Sequence, residues 1–271
     1  MIRLKFFTSF LLLILLSDFS IAQIKSGKPF EIDFTREAII FVAGSAASVT
    51  AFAILEKVKP LTIDEIISLN PQNVNSFDRD AIGPYHEDVM GDILLFSSYF
   101  LPATFLLHGQ AKNDFLDLAL IYSEVLLIQA SINGMVKGSV LRTRPFVYDS
   151  QTSLEEKQTI DARISFFSGH TSMTAAISFF TARVFSAYVE DDAAKILIWS
   201  GAVILPAVTA FSRVNNHLHF PTDVMVGYAV GAAIGYFIPE LHKSKTNGIS
   251  SLSIYPSINL NKPTLSLLLK F

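Results

Sequence analysis

Six long apolar stretches constrain this chain before anything else: Phe34 to Leu55, Val89 to Leu107, Phe115 to Val136, Thr171 to Val189, Ala194 to Phe211 and Val224 to Leu241. Each comes close to the roughly 20 residues a helix needs to cross the hydrocarbon core of a bilayer. A backbone in lipid must satisfy its own N–H and C=O groups, which favours helices for stretches of this length. Small residues recur inside them, as in Gly44-Ser45-Ala46-Ala47-Ser48 and from Gly227 to Gly235, and let helix backbones approach where lipid supplies no hydrophobic push. The expected fold class is all-α, one bundle of about six apolar, membrane-spanning helices over residues 34–241.

Composition narrows the function. Of 271 residues, 51% are hydrophobic and 17% charged, and the mean hydropathy is +0.43, more apolar than a disordered chain or an ordinary one-core soluble domain. A formal net charge of −3 offers no basic field, so nucleic acid is excluded as a partner. With no cysteine, disulfides, thiolate metal sites and cysteine nucleophiles drop out together. Whatever chemistry occurs must use His, Ser, Lys, Arg and carboxylates.

The two ends read differently from the bundle. Residues 1–22 have the pattern of a secretory signal: Arg3 and Lys5, an apolar run from Phe6 to Leu16 too short to span, then Ser20-Ile21-Ala22 before Gln23. That predicts a bacterial cell-envelope protein. In the C-terminal tail, residues 246–271, the spacing of Leu265, Leu267, Leu269 and Phe271 and the turn at Asn261-Lys262-Pro263 predict a two-stranded hairpin.

Three polar clusters stand beside consecutive apolar stretches. The first, Lys137 to Pro145, sets Lys137 and Arg144 seven residues apart, two helical turns, so both can reach one anion; alone it could be a positive flank of a spanning helix. The second, Ser165 to Thr171, puts Ser168, Gly169 and His170 at a helix start, where backbone amides and the helix dipole favour an anion; alone it is an ordinary N-cap. The third, Phe211 to Asp223, sets Arg213 ahead of His219 and places Asp223 in the first turn after Pro221, so that Asp223 can accept the His219 Nδ1 proton and leave Nε2 free to attack. A lone His-Asp pair would be structural, but all three clusters fall at the same end of the bundle.

In this conjunction the chain resembles the PAP2 superfamily, the type 2 phosphatidic acid phosphatases related to class A acid phosphatases and vanadium haloperoxidases. Their signature, Lys-x6-Arg-Pro, Pro-Ser-Gly-His and Ser-Arg-x5-His-x3-Asp, is matched at Lys137 to Pro145, Ser168 to His170 and Ser212 to Asp223, except that Phe167 replaces the usual Pro. That change removes no functional group and bears on substrate choice. The resemblance implies His219 as nucleophile, Asp223 orienting it, His170 as general acid, and Lys137, Arg144, Ser168, Gly169 and Arg213 holding phosphate oxygens. Arg142 and His217 sit at open positions of the signature and are expected to touch substrate at most. No cofactor and no metal are expected, since phosphoryl transfer asks for positioned cations and an in-line nucleophile. The implied activity is a phosphatase for phosphomonoesters or diphosphates, with a lipid phosphate as substrate. The alternatives are a vanadate-dependent haloperoxidase and a soluble periplasmic acid phosphatase.

Topology raises a conflict. A cleaved signal followed by six spans puts the motifs on the cytoplasmic side, whereas Lys25, Lys28, Arg36, Lys112, Lys195, Lys243 and Lys245, all opposite the motifs, favour a site facing the periplasm. Either the N-terminal segment is no simple signal or one stretch does not cross, and Phe34 to Leu55, flanked by Arg36 and Glu37, is the candidate for lying at the surface. A buried ion pair is also expected between Glu124 and Arg183. Each lies 13 residues from its motif, which sets both about 20 Å below the site.

Overall fold

The structure, a computed structural model, describes residues 27–244, 251–259 and 262–270; the signal-like residues 1–22 lie outside the described residues. Among the described residues six helices run to ten residues or more: α1 (Phe34–Leu55), α2 (Val89–Ser98), α3 (Phe115–Val140), α4 (Gly169–Tyr188), α5 (Asp192–Asn215) and α6 (Pro221–Leu241). Four of them begin on side-chain caps, Asp33, Asp88, Ser168 and Asp191 accepting from backbone N–H groups of the first turns of α1, α2, α4 and α5. A 3₁₀ run, Leu101–Leu107, extends α2. In the tail, β1 (Ser251–Asn259) and β2 (Lys262–Lys270) pair antiparallel, with Asn259 opposite Lys262.

Among the described residues five segments are long and apolar enough to cross a membrane: Phe34–Leu55, Val89–Leu107, Phe115–Tyr148, Asp192–Asn215 and Pro221–Leu241. The exception among the six expected stretches is α4. It packs on α6, α5, α3 and α2 at the centre of the bundle, and it buries Thr171, Ser172, Thr174 and Ser178 beside Ala175, Ala176, Ile177 and Phe180. A helix wrapped by other helices meets little lipid and can carry hydroxyls, which explains its lower apolarity.

Close backbone approach fixes the helix directions. Cβ atoms at Gly227, Gly231 and Gly235 would lie 2.8, 2.0 and 2.1 Å from the carbonyl oxygens of Ser168, Ser172 and Ala176, so only glycine lets α6 run parallel to α4 at this spacing. The first helix follows α3 in the same way: Gly44 meets Leu127, the Ser48 and Ser131 hydroxyls are 2.6 Å apart, and Gly134 and Gly138 meet Ala51 and Ile54. Thus α1 runs parallel to α3 at matching depth, and it is itself long and apolar enough to cross. That packing favours a crossing α1 over one lying at the surface.

The starts of α2, α4 and α6 and the ends of α3 and α5 meet at one end of the bundle, the motif end. The segment between α1 and α2 folds over it, packing Leu61 with Phe146, Val147, Ala162 and Leu218, and Val74 and Ala81 with Phe220. The far end holds the larger apolar core, around Phe30, Phe105, Leu118, Ile121, Phe180 and Val184. There the Glu124–Arg183 pair does not form. The Arg183 Nε–H donates to Glu240 Oε1 on α6, while Glu124 faces His242. Helical rise set the depth correctly, but the glycine-mediated contact of α6 with α4 puts Glu240 on the Arg183 side.

Candidate active site

Between α5 and α6 the chain reverses through His217, whose φ is 57°, and the N–H groups of Leu218 and His219 both reach the Arg213 carbonyl, at 3.1 and 3.3 Å. The turn carries His219 inward until its side chain is 1% exposed. Arg144, just beyond the left-handed Leu141 that ends α3, donates from Nη1 to His219 Nε2 at 3.1 Å and to the Leu218 carbonyl at 2.7 Å. An Nε2 that accepts from a guanidinium leaves the ring proton on Nδ1. That nitrogen is 3.3 Å from Ser165 Oγ, and Ser165 in turn donates to Asp223 Oδ2 at 2.6 Å. His219 Nδ1 and Asp223 Oδ2 are 3.6 Å apart, so the serine hydroxyl stands between the two expected partners.

Asp223 is fully buried and held from several sides. It accepts the Phe220 N–H at 2.9 Å and Arg142 Nη1–H at 2.5 Å. The same guanidinium donates to Asp78 Oδ2 at 2.7 Å, and Asp78 also accepts from the Thr222 hydroxyl and N–H. Burial pushes the Asp78 carboxyl up, but hydrogen bonds from Thr222, Arg142 and Asn75 outweigh it and hold its pKa below the usual range. Arg142 is thus a strut between two carboxylates. His217 is likewise structural, its Nδ1 2.9 Å from the Ala81 carbonyl oxygen and its ring filling the space that a side chain at Gly83 would need.

Three cations converge on the imidazole. Lys137 Nζ donates to the Ile164 carbonyl at 2.7 Å. Arg213 sits 3.3 Å from Asp88 and 3.7 Å from Asp92, and its buried Nε–H has no acceptor. Arg144 reaches Asp161 through both its backbone carbonyl and its carboxylate, each at 2.7 Å. Burial, with the charges of Arg144, Lys137 and Arg213, drives the His219 pKa well below 6.5, so the ring is neutral near pH 7. Ser168 caps α4 with its hydroxyl on the Thr171 N–H, while its own N–H donates to the Asp223 carbonyl at 3.1 Å. Gly169 lies against Asn133, which donates to the Phe167 carbonyl at 3.0 Å. His170 Nε2 is 2.8 Å from Asp92 Oδ1; burial and Arg213 lower its pKa, and Asp92 partly restores it.

All eight expected residues, Lys137, Arg144, Ser168, Gly169, His170, Arg213, His219 and Asp223, therefore gather at the motif end. Five others escape a reading by spacing. Ser165 lies inside a cluster but has no motif position, and Asp78, Asp88, Asp92 and Asp161 come from outside the clusters. The Lys/Arg donor set repels metal cations and suits an anion with several oxygens.

Comparison with known proteins agrees with the site. Residues 118–247 match the PAP2 superfamily model. Phospholipid phosphatase 1 of Rattus norvegicus is 30% identical over 86 residues, 31% of this chain and 30% of that protein. Lipid A 4'-phosphatase of Porphyromonas gingivalis is 29% identical over 113 residues, 39% of this chain and 44% of that protein. The matches thus span less than half the length of either relative. A transmembrane PAP2-type phosphatidylglycerolphosphate phosphatase from Bacillus subtilis aligns with a TM-score of 0.42 at 18% identity, over 77% of this chain and 92% of that one. The segment that matches the PAP2 superfamily, residues 118–247, contains all three clusters that build the site, so the likeness falls on the residues of the site itself.

Proposed function

We propose that this protein is a metal-independent phosphatase that hydrolyses lipid phosphomonoesters or diphosphates through a phosphohistidine. The observation that carries the reading is a neutral His219 whose Nε2 lone pair faces Arg144 inside a ring of cations. A bound phosphate takes its oxygens' partners from Arg144, Lys137, Arg213 and the Ser168–Gly169 start of α4. Nε2 attacks phosphorus, the ester P–O bond breaks, and protonated His170 gives its proton to the leaving oxygen. As positive charge develops on the imidazole, Nδ1–H is steadied through Ser165 onto Asp223. Water then attacks the phosphohistidine, His170 takes the water proton, and orthophosphate leaves with His219 restored. This division of labour uses preorganised positive charge, usually the largest contribution to such catalysis.

A lipid substrate is supported by the five apolar spans and by relatives whose names specify phospholipid and lipid A. The site is proposed to face the periplasm, on the strength of Lys28, Arg36, Lys112, Lys195 and Lys243 at the opposite end. With α1 crossing, that orientation starts α1 from the cytoplasm, contrary to a signal cleaved after Ala22. The native chain has no cysteine, so a single Gln151→Cys at the exposed motif end reports orientation by labelling in intact cells. The activity test is phosphate release from lipid and water-soluble phosphoesters by purified protein. Millimolar chelator leaves the rate intact and vanadate, which adopts the shape of the transition state, inhibits. Loss on chelation with recovery on adding magnesium would refute the mechanism.

A further inference from the structure

At the far end, Glu37 in the first turn of α1, Glu124 within α3 and His242 just past α6 turn toward one another. They are 6%, 0% and 0% exposed, and one ligand atom from each lies within 4.8 Å of the others. His242 Nδ1 donates to the Ile238 carbonyl at 2.8 Å, which points Nε2 at both carboxylates, 2.9 Å from Glu37 Oε2 and 3.1 Å from Glu124 Oε2. A single N–H on Nε2 serves one acceptor well, and its geometry favours Glu37. Both Glu124 oxygens then remain without a hydrogen bond, although the residue is completely buried. Leaving a carboxylate in that state is expensive.

A cation satisfies what one proton cannot. An imidazole nitrogen and two carboxylate oxygens from three separate elements form a ligand set for a divalent transition metal. The supporting contacts fit as well. The Ile238 carbonyl fixes the histidine tautomer, and Glu37 Oε1 is held by Arg36 Nη2–H at 2.7 Å and the Asp33 N–H at 2.9 Å, while Oε2, which has only a long 3.4 Å contact from Arg36 Nε–H besides His242, is turned toward the metal position. Tetrahedral coordination at about 2.0–2.2 Å sets ligand atoms about 3.4 Å apart, so His242 Nε2, at 2.9 and 3.1 Å from the two carboxylate oxygens, needs to part from each by only a few tenths of an ångström. We propose that Glu37, Glu124 and His242 form a zinc-type metal site, remote from the catalytic centre, that staples the entry and exit of the bundle. The backbone already joins these two segments: Glu31 N–H donates to the His242 carbonyl at 2.8 Å and Ser244 N–H to that of Pro29 at 2.9 Å.

The test uses full-length protein in detergent, purified without a histidine tag, stripped with chelator and titrated with Co2+ and then Zn2+. The proposal expects about one Co2+ per chain with the visible absorption of a tetrahedral nitrogen–oxygen site, displacement by one Zn2+, and a rise in unfolding temperature with either metal. Stripping leaves phosphatase turnover at low temperature unchanged, which separates this site from catalysis. The isosteric Glu124→Gln and His242→Ala remove the absorption. Absence of a Co2+ spectrum and of any thermal shift in the wild type overturns the proposal and leaves a proton shared among the three side chains, and the wild-type titration decides this even if the variants fail to fold. An unchanged spectrum in His242→Ala overturns it as well.

Discussion

The two ends of the bundle bury charge in opposite senses. At the motif end three cations crowd one neutral imidazole, and the carboxylates of Asp88, Asp92 and Asp161 only partly offset them. Arg213 Nε is left without an acceptor. At the far end two carboxylates meet one histidine and one arginine, and Glu124 is left without a donor. In each place a buried polar group stays unpaired at the centre of an otherwise satisfied network, where such a group is most costly. The sign of the unpaired group indicates the missing partner: an anion at one end, a cation at the other.

The largest expected effect comes from removing the acceptor on which the motif end converges. His219→Ala abolishes turnover of every phosphoester, whatever its leaving group, because no other side chain in the cluster is placed to attack. His170→Ala fails selectively. It lowers turnover of alkyl and lipid phosphates by about 10²- to 10⁴-fold but spares an activated aryl phosphate, whose phenolate departs unprotonated. The measurement is the ratio of rates on the two substrates for each variant. Equal losses for His170→Ala would remove its role as acid, and substantial turnover by His219→Ala would remove the phosphohistidine.

How far each end could be read from sequence follows the same contrast. The gathering of side chains at the motif end was legible because Lys137, Arg144, His170, His219 and Asp223 stand in fixed spacing beside helix ends, and spacing along one chain is what a sequence displays. Asp78, Asp88 and Asp92 were not, because their nearness to Arg142, Arg213 and His170 depends on how the segment between α1 and α2 folds over the bundle. Hydropathy found the six long helices but not the central place of α4, whose buried hydroxyls lower its apolarity while its neighbours shield it from lipid. At the far end, depth was legible from helical rise and direction around the axis was not. That is why Arg183 pairs with Glu240 rather than Glu124.

Asp92 offers a finer probe of the motif end. If catalysis needs neutral His219 and protonated His170, kcat/KM rises with pH through the His219 pKa, far below 6.5, and falls with pH through the His170 pKa, also lowered from 6.5. The optimum therefore lies on the acid side of pH 6.5. Asp92→Asn removes the carboxylate that pulls the His170 pKa upward, so the alkaline limb moves to lower pH. The acid limb, set by His219, stays in place. A full pH–rate profile of both proteins checks this, and movement of the acid limb alone would mean that the two histidines have each other's roles.

The smallest expected effect tests the far end, where the pair read from depth and the pair actually formed share Arg183. Arg183 and Glu240 are partly exposed, 11% and 27%, so their interaction is worth on the order of 0.5–1 kcal/mol rather than the several of a sealed pair. Arg183 also lies over the rings of Phe30 and Tyr236, each 5.9 Å from the guanidinium carbon, so Arg183→Gln alone costs more than the ion pair. A double-mutant cycle cancels that surplus. Arg183→Gln with Glu240→Gln should show the coupling in reversible unfolding in detergent, whereas Arg183→Gln with Glu124→Gln should be additive within about 0.5 kcal/mol. Coupling of Arg183 to Glu124 above that limit, with none to Glu240, would mean that Arg183 rather than a metal or a proton neutralises Glu124, and the charge contrast between the two ends would have to be redrawn.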